Sequence, residues 1–364
     1  MAITTTTVIG GPVDVKFQVN LLRNAKANCP YYAGTVPASI MNHQGTFTAK
    51  WRRIENLTPT TTPLTELTGA VAFPTRTGSS PTVTDTTAVV RKYGDFIYLN
   101  EEVDLINFSE QGAKISEILG IQAGRSLNRL QRDVMEDNFT AVLSGVATTA
   151  SDISGAATAS GFVKVGELAG VNNTLTRADA IRFRPQTTGS QNIGSTPIRT
   201  SFWGICHVDT TEHLRTLTGW NEVITYAGQT ETYEGEVGHL GGVRFIESTE
   251  ASIDTGSGAG ATSSATTAGR STATRFDIYN TVVYGMDAVG SLGLDGSHIK
   301  EIYQAGDRLP AIQVIAHSRG SAGSADPLNE LSTAGWKTWH AGVILNTAWG
   351  RTYRHSVAVI DSAE

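Results

Sequence analysis

The sequence predicts an α+β chain, rich in strands and organised around one long helix. Three observations carry that expectation. Apolar residues recur at three- and four-residue spacing between positions 107 and 145. Several other segments alternate apolar and polar residues, or concentrate β-branched and aromatic ones, as strands do. Only 17% of the 364 residues are charged while Gly, Ala, Thr and Ser abound, a profile that suits strands and turns with large areas buried against neighbours.

Taken in order, residues 1–44 read as an extended N-terminal arm. Pro12, Pro30 and Pro37 interrupt it, only 15–27 has a helical pattern, and it has little to bury within itself. Residues 46–53 alternate, with Phe47, Ala49 and Trp51 on one side, and predict a strand. A loop-rich section punctuated by Pro59, Pro63, Gly69, Pro74, Gly78 and Pro81 separates it from β-rich segments at 82–90 and 93–99. Together these predict a long two-stranded arm, marginal alone and in need of a partner surface.

The helix predicted over 107–145 starts at a capping box, Asn107 with Glu110, and stops at Gly145. Ile115, Ile118, Leu119, Leu127, Leu130, Val134, Met135 and Val142 supply its apolar face. Glu110/Lys114, Arg129/Asp133 and Arg132/Glu136 are opposite charges four apart on the other. At about 1.5 Å per residue the helix would run on the order of 55 Å, longer than a domain of this size needs, so it reads as a strut. Gly112, Gly120 and Gly124 weaken it, and the shared face of Gly120 and Gly124 points to close approach of another backbone.

Beyond it, a short helix is expected at 176–184, with Thr176 as N-cap and Pro185 as stop. A strand at 202–208, a helix at 209–217, and a turn and strand at 235–247 follow. Residues 254–274 are low-complexity surface loop, and strands return at 277–284, 312–317, 336–345 and 349–360.

The chemistry-bearing patterns are few. A net charge of -6 without a basic tail argues against tight electrostatic binding of nucleic acid. Cys29 and Cys206 lie far apart, which fits reduced thiols in a cytoplasm. The N-terminus carries no secretory pattern and no window of about 18 apolar residues occurs, so the expectation is a soluble chain without a membrane segment. Phosphate-loop, His-Glu-x-x-His, Cys-x-x-Cys and Gly-x-Ser-x-Gly motifs are missing. His207, Asp209 and His213 are zinc-type ligands, but they straddle a strand end and a helix, and convergence would be accidental. Arg125, Arg129 and Arg132 share part of a helix face and read as a salt-bridged surface in preference to a phosphate site. Glu101/Glu102 and Glu234/Glu236 have no apolar pocket implied around them to raise a pKa. The reading is no enzyme, no cofactor and no metal.

A set of stretches, taken together and in order, carries more. They are Thr62-Pro-Leu-Thr-Glu66, Val90-Arg-Lys-Tyr-Gly-Asp-Phe-Ile-Tyr-Leu99, Leu119-Gly-Ile-Gln-Ala-Gly124 and His207-Val-Asp-Thr-Thr-Glu-His-Leu-Arg215. Gly235-Glu-Val-Gly238, Gly242-Val-Arg-Phe-Ile-Glu247, Asp326-Pro-Leu328, Gly335-Trp-Lys337 and Ile344-Leu-Asn346 continue the series. From about residue 45 to the C-terminus the sequence thereby resembles the major capsid proteins of tailed bacteriophages, specifically the group named after the phage N4 capsid protein.

The resemblance implies the HK97-type capsid fold. Its parts map to an N-terminal arm at 1–44, an extended loop at 45–100, a peripheral domain at 101–182 and 297–364 with the spine helix at 107–145, and an axial domain at 183–296. It implies a chain that assembles with itself, as hexamers and pentamers, into an icosahedral head. That head encloses double-stranded DNA without sequence-specific binding, in a virion assembled in the bacterial host cytoplasm. Scaffolding, portal and decoration proteins are further partners it leaves open. Subunit-interface residues implied by the mapping are Trp51, Arg52, Arg53, Arg76, Gly78, Pro81, Arg91 and Tyr93. The unsupported arm, the hairpin without a partner and the overlong helix then share one cause, a missing second copy of the chain.

One departure from the founding pattern stands out. Cross-linking there joins a loop lysine to an asparagine, whereas residues 58–85 contain no lysine and Lys50 and Lys92 lie towards the loop base. The expectation is a shell held by noncovalent contacts. The rival readings are an encapsulin-like nanocompartment shell, a phage decoration or tail protein, and a monomeric carbohydrate-binding or hydrolytic β-rich protein.

Overall fold

The structure, a computed structural model, describes residues 29–40, 46–55, 57–61, 63, 79–102, 111–156, 161–183, 200–225, 235–260, 269–272, 274–294, 302–304, 311–321 and 326–359. A 3-10 turn at Pro30–Tyr32 leads into β1 (Val36–Ile40), the hairpin of β2 (Thr48–Ile54) and β3 (Val83–Val89), β4 (Arg91–Asn100) and helix α1 (Gln111–Asn138). Next come β5 (Thr140–Leu143), α2 (Val165–Arg177), β6 (Phe202–Cys206) and α3 (Val208–Thr216). β7 (Asn221–Glu222), β8 (Glu236–Leu240), β9 (Val243–Glu247), β10 (Ile253–Asp254), β11 (Ser271–Thr272) and β12 (Arg275–Phe276) follow. The chain continues through β13 (Ile278–Tyr284), β14 (Val289–Leu294), β15 (Ile302–Gln304), β16 (Ala311–His317), β17 (Leu331–Ile344) and β18 (Gly350–His355).

These strands form two principal sheets that share one helix. The first has six strands in the order β1-β14-β17-β16-β15, with β4 added to β17. The 14-residue β17 is its spine: β4 pairs antiparallel along Leu331–His340, β14 takes over at His340–Ile344, and β16 holds the opposite edge. The second has eight strands, ordered β5-β18-β13-β6-β9-β8-β7, with β10 on β13. Strand β13 is buried along its whole length, as suits a run that is apolar or β-branched except at Asn280.

α1 spans both sheets. Ile115, Leu119, Ala123 and Leu127, four apart and so on one stripe, pack on Ile312, Val314, Ala334 and Trp336 of the six-stranded sheet. Met135 near its end, and Phe139 just beyond, pack with Tyr31 of the 3-10 turn and with Ile205, Ile246, Val282 and Tyr284 of the eight-stranded sheet. The other face of that sheet is covered by Leu168, Val171 and Leu175 of α2 and by Leu214 of α3, against Phe202, Phe245, Val283 and Tyr353. The strut expected from the length of the pattern is therefore a helix laid across two sheets.

Several expectations are corrected. α1 ends at Asn138, not at 145: Phe139 N donates the last helical bond to Met135 O, and the β-branched run from Thr140 pairs parallel with β18. Val142 is thus a strand residue, although Gly145 does take a left-handed φ of 72°. Ile118 is exposed, because the buried stripe runs through its neighbour Leu119. The capping box at Asn107 and Glu110, and with it the Glu110/Lys114 pair, lies outside the described residues. Helix α2 ends at Arg177, where the predicted 176–184 helix was to begin, and Thr176 Oγ1 bonds back to Asn172 O at 2.8 Å.

The arm, expected to have little to bury within itself, is buried at 31–33 against the rest of the chain. Tyr31, Tyr32 and Ala33 are buried, and β1 is a parallel strand on β14. At Gly124 this segment meets α1 through a side chain, Cys29 Sγ donating to Gly124 O at 3.3 Å, and its backbone reaches α1 one turn on, where Tyr31 N donates to Asn128 Oδ1 at 3.0 Å. Strand β4, assigned from sequence to the extended loop, belongs to the six-stranded sheet; the hairpin itself is β2 and β3 alone. The 15–27 segment lies outside the described residues.

Candidate functional site: the hairpin and the sheet beneath it

The hairpin is set by a register in which Ala49 faces Ala88, Trp51 faces Thr86 and Arg53 faces Thr84. Strand alternation sends this set to one side and Lys50, Arg52, Ile54, Val83 and Asp85 to the other. The inward set seats the hairpin on its own sheet: Ala49, Trp51 and Ala88 cluster with Val90, Leu292, Trp339 and Val343. The hairpin therefore finds part of the partner surface it needs within the chain.

Its outward face keeps an open apolar end. Ile54 and Val83 face each other across the strands and are 66% and 47% exposed. Behind them, Asp85 accepts from Lys50 Nζ at 2.5 Å and from Arg52 Nε at 3.0 Å. Those hydrogen bonds hold its carboxyl down to about 2. Arg53 grips Glu55 and donates to Leu345 O at 3.3 Å, tying strand to sheet.

Beside the hairpin, the same sheet carries a second exposed apolar group. Ile97 and Leu99 of β4 face α1, so Phe96 and Tyr98 face away from it. They are 56% and 63% exposed and meet edge-to-face at 5.0 Å between ring centres. Leu331, exposed, pairs with Asn100 on that same face. Large apolar groups gathered on a surface in this way make it the candidate contact surface.

The expected interface residues distribute unevenly over these surfaces. Trp51 is half-buried under the hairpin, Arg52 is outward and paired, Arg53 is committed to Glu55 and Leu345, and Pro81 is exposed just before β3. Arg91 is exposed opposite His340, whereas Tyr93 alternates with Ile97 onto the α1 side. Arg76 and Gly78 lie outside the described residues. Sequence reasoning missed Ile54, Val83, Phe96, Tyr98 and Leu331. A signal was present in β4, where Phe96-Ile97-Tyr98-Leu99 places apolar residues on both faces and so calls for two covering layers.

The remaining polar constellations resolve into structure. His207 caps α3 by accepting from Asp209 N at 3.2 Å, while His213 Nδ1 accepts from Ala358 N at 3.0 Å, so the two imidazoles do not converge. Asp209 accepts from Tyr279 Oη at 2.8 Å and pairs with Arg270 at 3.2 Å, inside a cleft of about 480 Å³ whose walls also include Asp277 and Thr255. Among the described residues no group of three His, Cys, Asp or Glu is placed to hold a metal ion, and no helix is long and apolar enough to cross a membrane. Arg125 and Arg129 both clamp the buried carboxylate of Glu250, and Arg132 Nη1 donates to its backbone oxygen at 2.6 Å. That overturns the Arg129/Asp133 pair expected from spacing; Asp133 pairs with Arg132 at 2.6 Å instead.

No family model and no curated protein sequence matches the chain. Solved structures do. A chain from the capsid of Ralstonia phage GP4 superposes with a TM-score of 0.56 at 9% identity, covering 91% of this chain and 89% of that one. The head structure of Helicobacter pylori bacteriophage KHP40 gives 0.56 at 11% identity, with 91% of each chain covered. The cyanophage Pam1 capsid asymmetric unit gives 0.52 at 13% identity over 90% of each. The chain thus has the strand-rich, mixed α+β, HK97-like fold of these phage capsid chains.

Proposed function

We propose that this chain is a subunit of a self-assembling protein shell. Within that class, the reading best supported is the major capsid protein of a tailed bacteriophage, in the group named after the phage N4 capsid protein. The observation that carries it is likeness of fold along nearly the whole of both chains to subunits of phage capsids and heads.

The mechanism is geometric. The eight-stranded sheet belongs largely to an axial domain that meets its copies around five- and six-fold axes. α1 and the six-stranded sheet form the peripheral domain, and the hairpin, seated on that sheet with Ile54 and Val83 uncovered on its outer face, lies against a neighbouring copy. Heterologous contacts of this kind close into a shell when the rotation between copies closes. Each need bury only about 1,000–2,000 Å², since every copy makes several at once. A net charge of -6 suits a container that must not grip the double-stranded DNA it encloses. With no lysine at the loop tip, the shell is held noncovalently, so mass measurement of denatured particles is expected to return single chains; a ladder of linked chains contradicts that.

The rival with the same architecture is a nanocompartment enclosing protein cargo. Particles purified from the natural source and treated with nuclease decide between them. Protected double-stranded DNA is expected, and particles filled with protein and free of DNA contradict the phage reading.

A further inference from the structure

The last turns of α1 carry a polar edge beside the apolar one. Four-residue spacing puts Arg132 and Glu136 on one side of the helix, against the segment at 250–252 that follows β9. Arg132 Nε stands 3.9 Å from Glu136 Oε2, and Ser252 Oγ donates to that same oxygen at 2.6 Å. A donating hydroxyl and an adjacent guanidinium both favour the ionised carboxylate. One oxygen of the anion is thereby satisfied. The other, Oε1, is buried and has no hydrogen-bond partner among the described residues.

Two more buried atoms at this joint share that condition. Asn280 of β13, 4% exposed, donates through Nδ2 to Ser252 Oγ at 2.7 Å and to Asp254 Oδ2 of β10 at 3.2 Å. Only the nitrogen of an amide can donate to a carboxylate, so the orientation of this one is fixed and Oδ1 is left as an acceptor. Tyr31 of the 3-10 turn is fully enclosed. It clusters with Met135, the neighbour of Glu136, and with Val282, two residues along from Asn280 and so on the same face of β13. The charges of Glu136 and Arg132 both act on its hydroxyl. Neither the Tyr31 hydroxyl nor Asn280 Oδ1 has a hydrogen-bond partner among the described residues.

The joint thus holds two unmet acceptors, one of them charged, and one unmet donor. Burying such groups unpaired is costly, and a carboxylate oxygen most of all. A direct bond from Tyr31 to Glu136 would satisfy two of the three and leave Asn280 Oδ1 without a donor. A cation suits the site poorly, because the phenol brings a hydrogen of its own and Arg132 already sets positive charge beside the carboxylate. Water has the matching valence: it donates twice and accepts from the third group, and about three hydrogen bonds is what a buried water typically makes. We propose that this joint binds one internal water, which donates to Glu136 Oε1 and Asn280 Oδ1 and accepts from the Tyr31 hydroxyl. It ties the 3-10 turn and α1 to β13, so three elements distant in sequence share one ligand.

The site lies inside one chain, so its test is independent of the shell reading. A density map of the full chain, sharp enough to show ordered water, is expected to place one peak about 2.7–3.2 Å from all three atoms. Absence of the peak, a Tyr31 hydroxyl bonded straight to Glu136, or a peak at the shorter distances of about 2.0–2.6 Å that mark a metal ion overturns the proposal. Denaturation of Tyr31→Phe at neutral pH supplies the second readout. Removing the hydroxyl from a bound water should raise the unfolding equilibrium constant about tenfold, whereas removing an unpaired hydroxyl leaves it unchanged or lowers it. An unchanged or lowered constant therefore overturns the site as well. Should Tyr31→Phe fail to fold, the wild-type map decides alone.

Discussion

Single residues in this chain report on burial and on pairing. Leu127 is fully enclosed between α1 and the six-stranded sheet, so Leu127→Ala should cost about 2–5 kcal/mol in chemical denaturation. Leu127→Asp, which buries an unpaired charge there, should yield no soluble folded chain. Wild-type stability in either variant would show that this stripe is not core. His340 and His355 are buried, and desolvation lowers them from 6.5 to about 4 and about 3. A base whose folded pKa is depressed contributes stability that is whole above 6.5 and is lost as the pH falls through the folded values. Thermal midpoints should therefore drop steadily between about pH 6 and pH 4, and His355→Gln should flatten part of that drop. The periodicity of the sequence located Leu119, Leu127 and Met135 correctly. It could not separate Ile118 from them, because three- and four-residue spacings admit a stripe wider than the one the sheets cover. Glu250 was illegible for another reason: it lies 121 residues from Arg129, and no local spacing encodes such a pair.

Elements were legible where their pattern was self-sufficient. Strands β2, β3, β13 and β16 were read close to their bounds, since alternation or a stretch dense in β-branched and apolar residues defines them without a partner. The end of α1 was not, because Thr140–Leu143 becomes a strand through the edge that β18 offers, a tertiary effect overriding helical periodicity. β14 was missed because Gly290 and Gly293 dilute its signal, and Gly290 is needed where Val343 of β17 presses within 3.0 Å of the place a Cβ would take. The joint between α1 and the 250–252 segment gives a prediction at this scale. Glu250→Ala removes the partner of two arginines at once and should destabilise the chain by about 1–3 kcal/mol, read from denaturation midpoints. The hairpin gives the opposite one. Ile54→Lys with Val83→Glu changes only exposed positions and sets opposite charges across the strands, so the chain should unfold within about 0.5 kcal/mol of wild type while failing to assemble. Replacing the 78–81 stretch should act in the same way, and normal shells from either variant would show that the hairpin is not a subunit contact.

For the molecule as a whole, two sheets bridged by one helix leave apolar groups uncovered on the outward side of the hairpin and on the face of β4. The α+β class and the central helix were evident in the sequence, as was the hairpin's need for a covering surface. Which surface the hairpin covers was not, because register and docking between distant strands depend on contacts that no segment carries alone. The central claim is that the uncovered groups are the seams of a shell. Electron microscopy of particles from cells producing the chain tests it most directly. Closed shells of uniform diameter, built from this one 38.7 kDa chain, are predicted; only dispersed single chains, with no closed particles, would contradict the account.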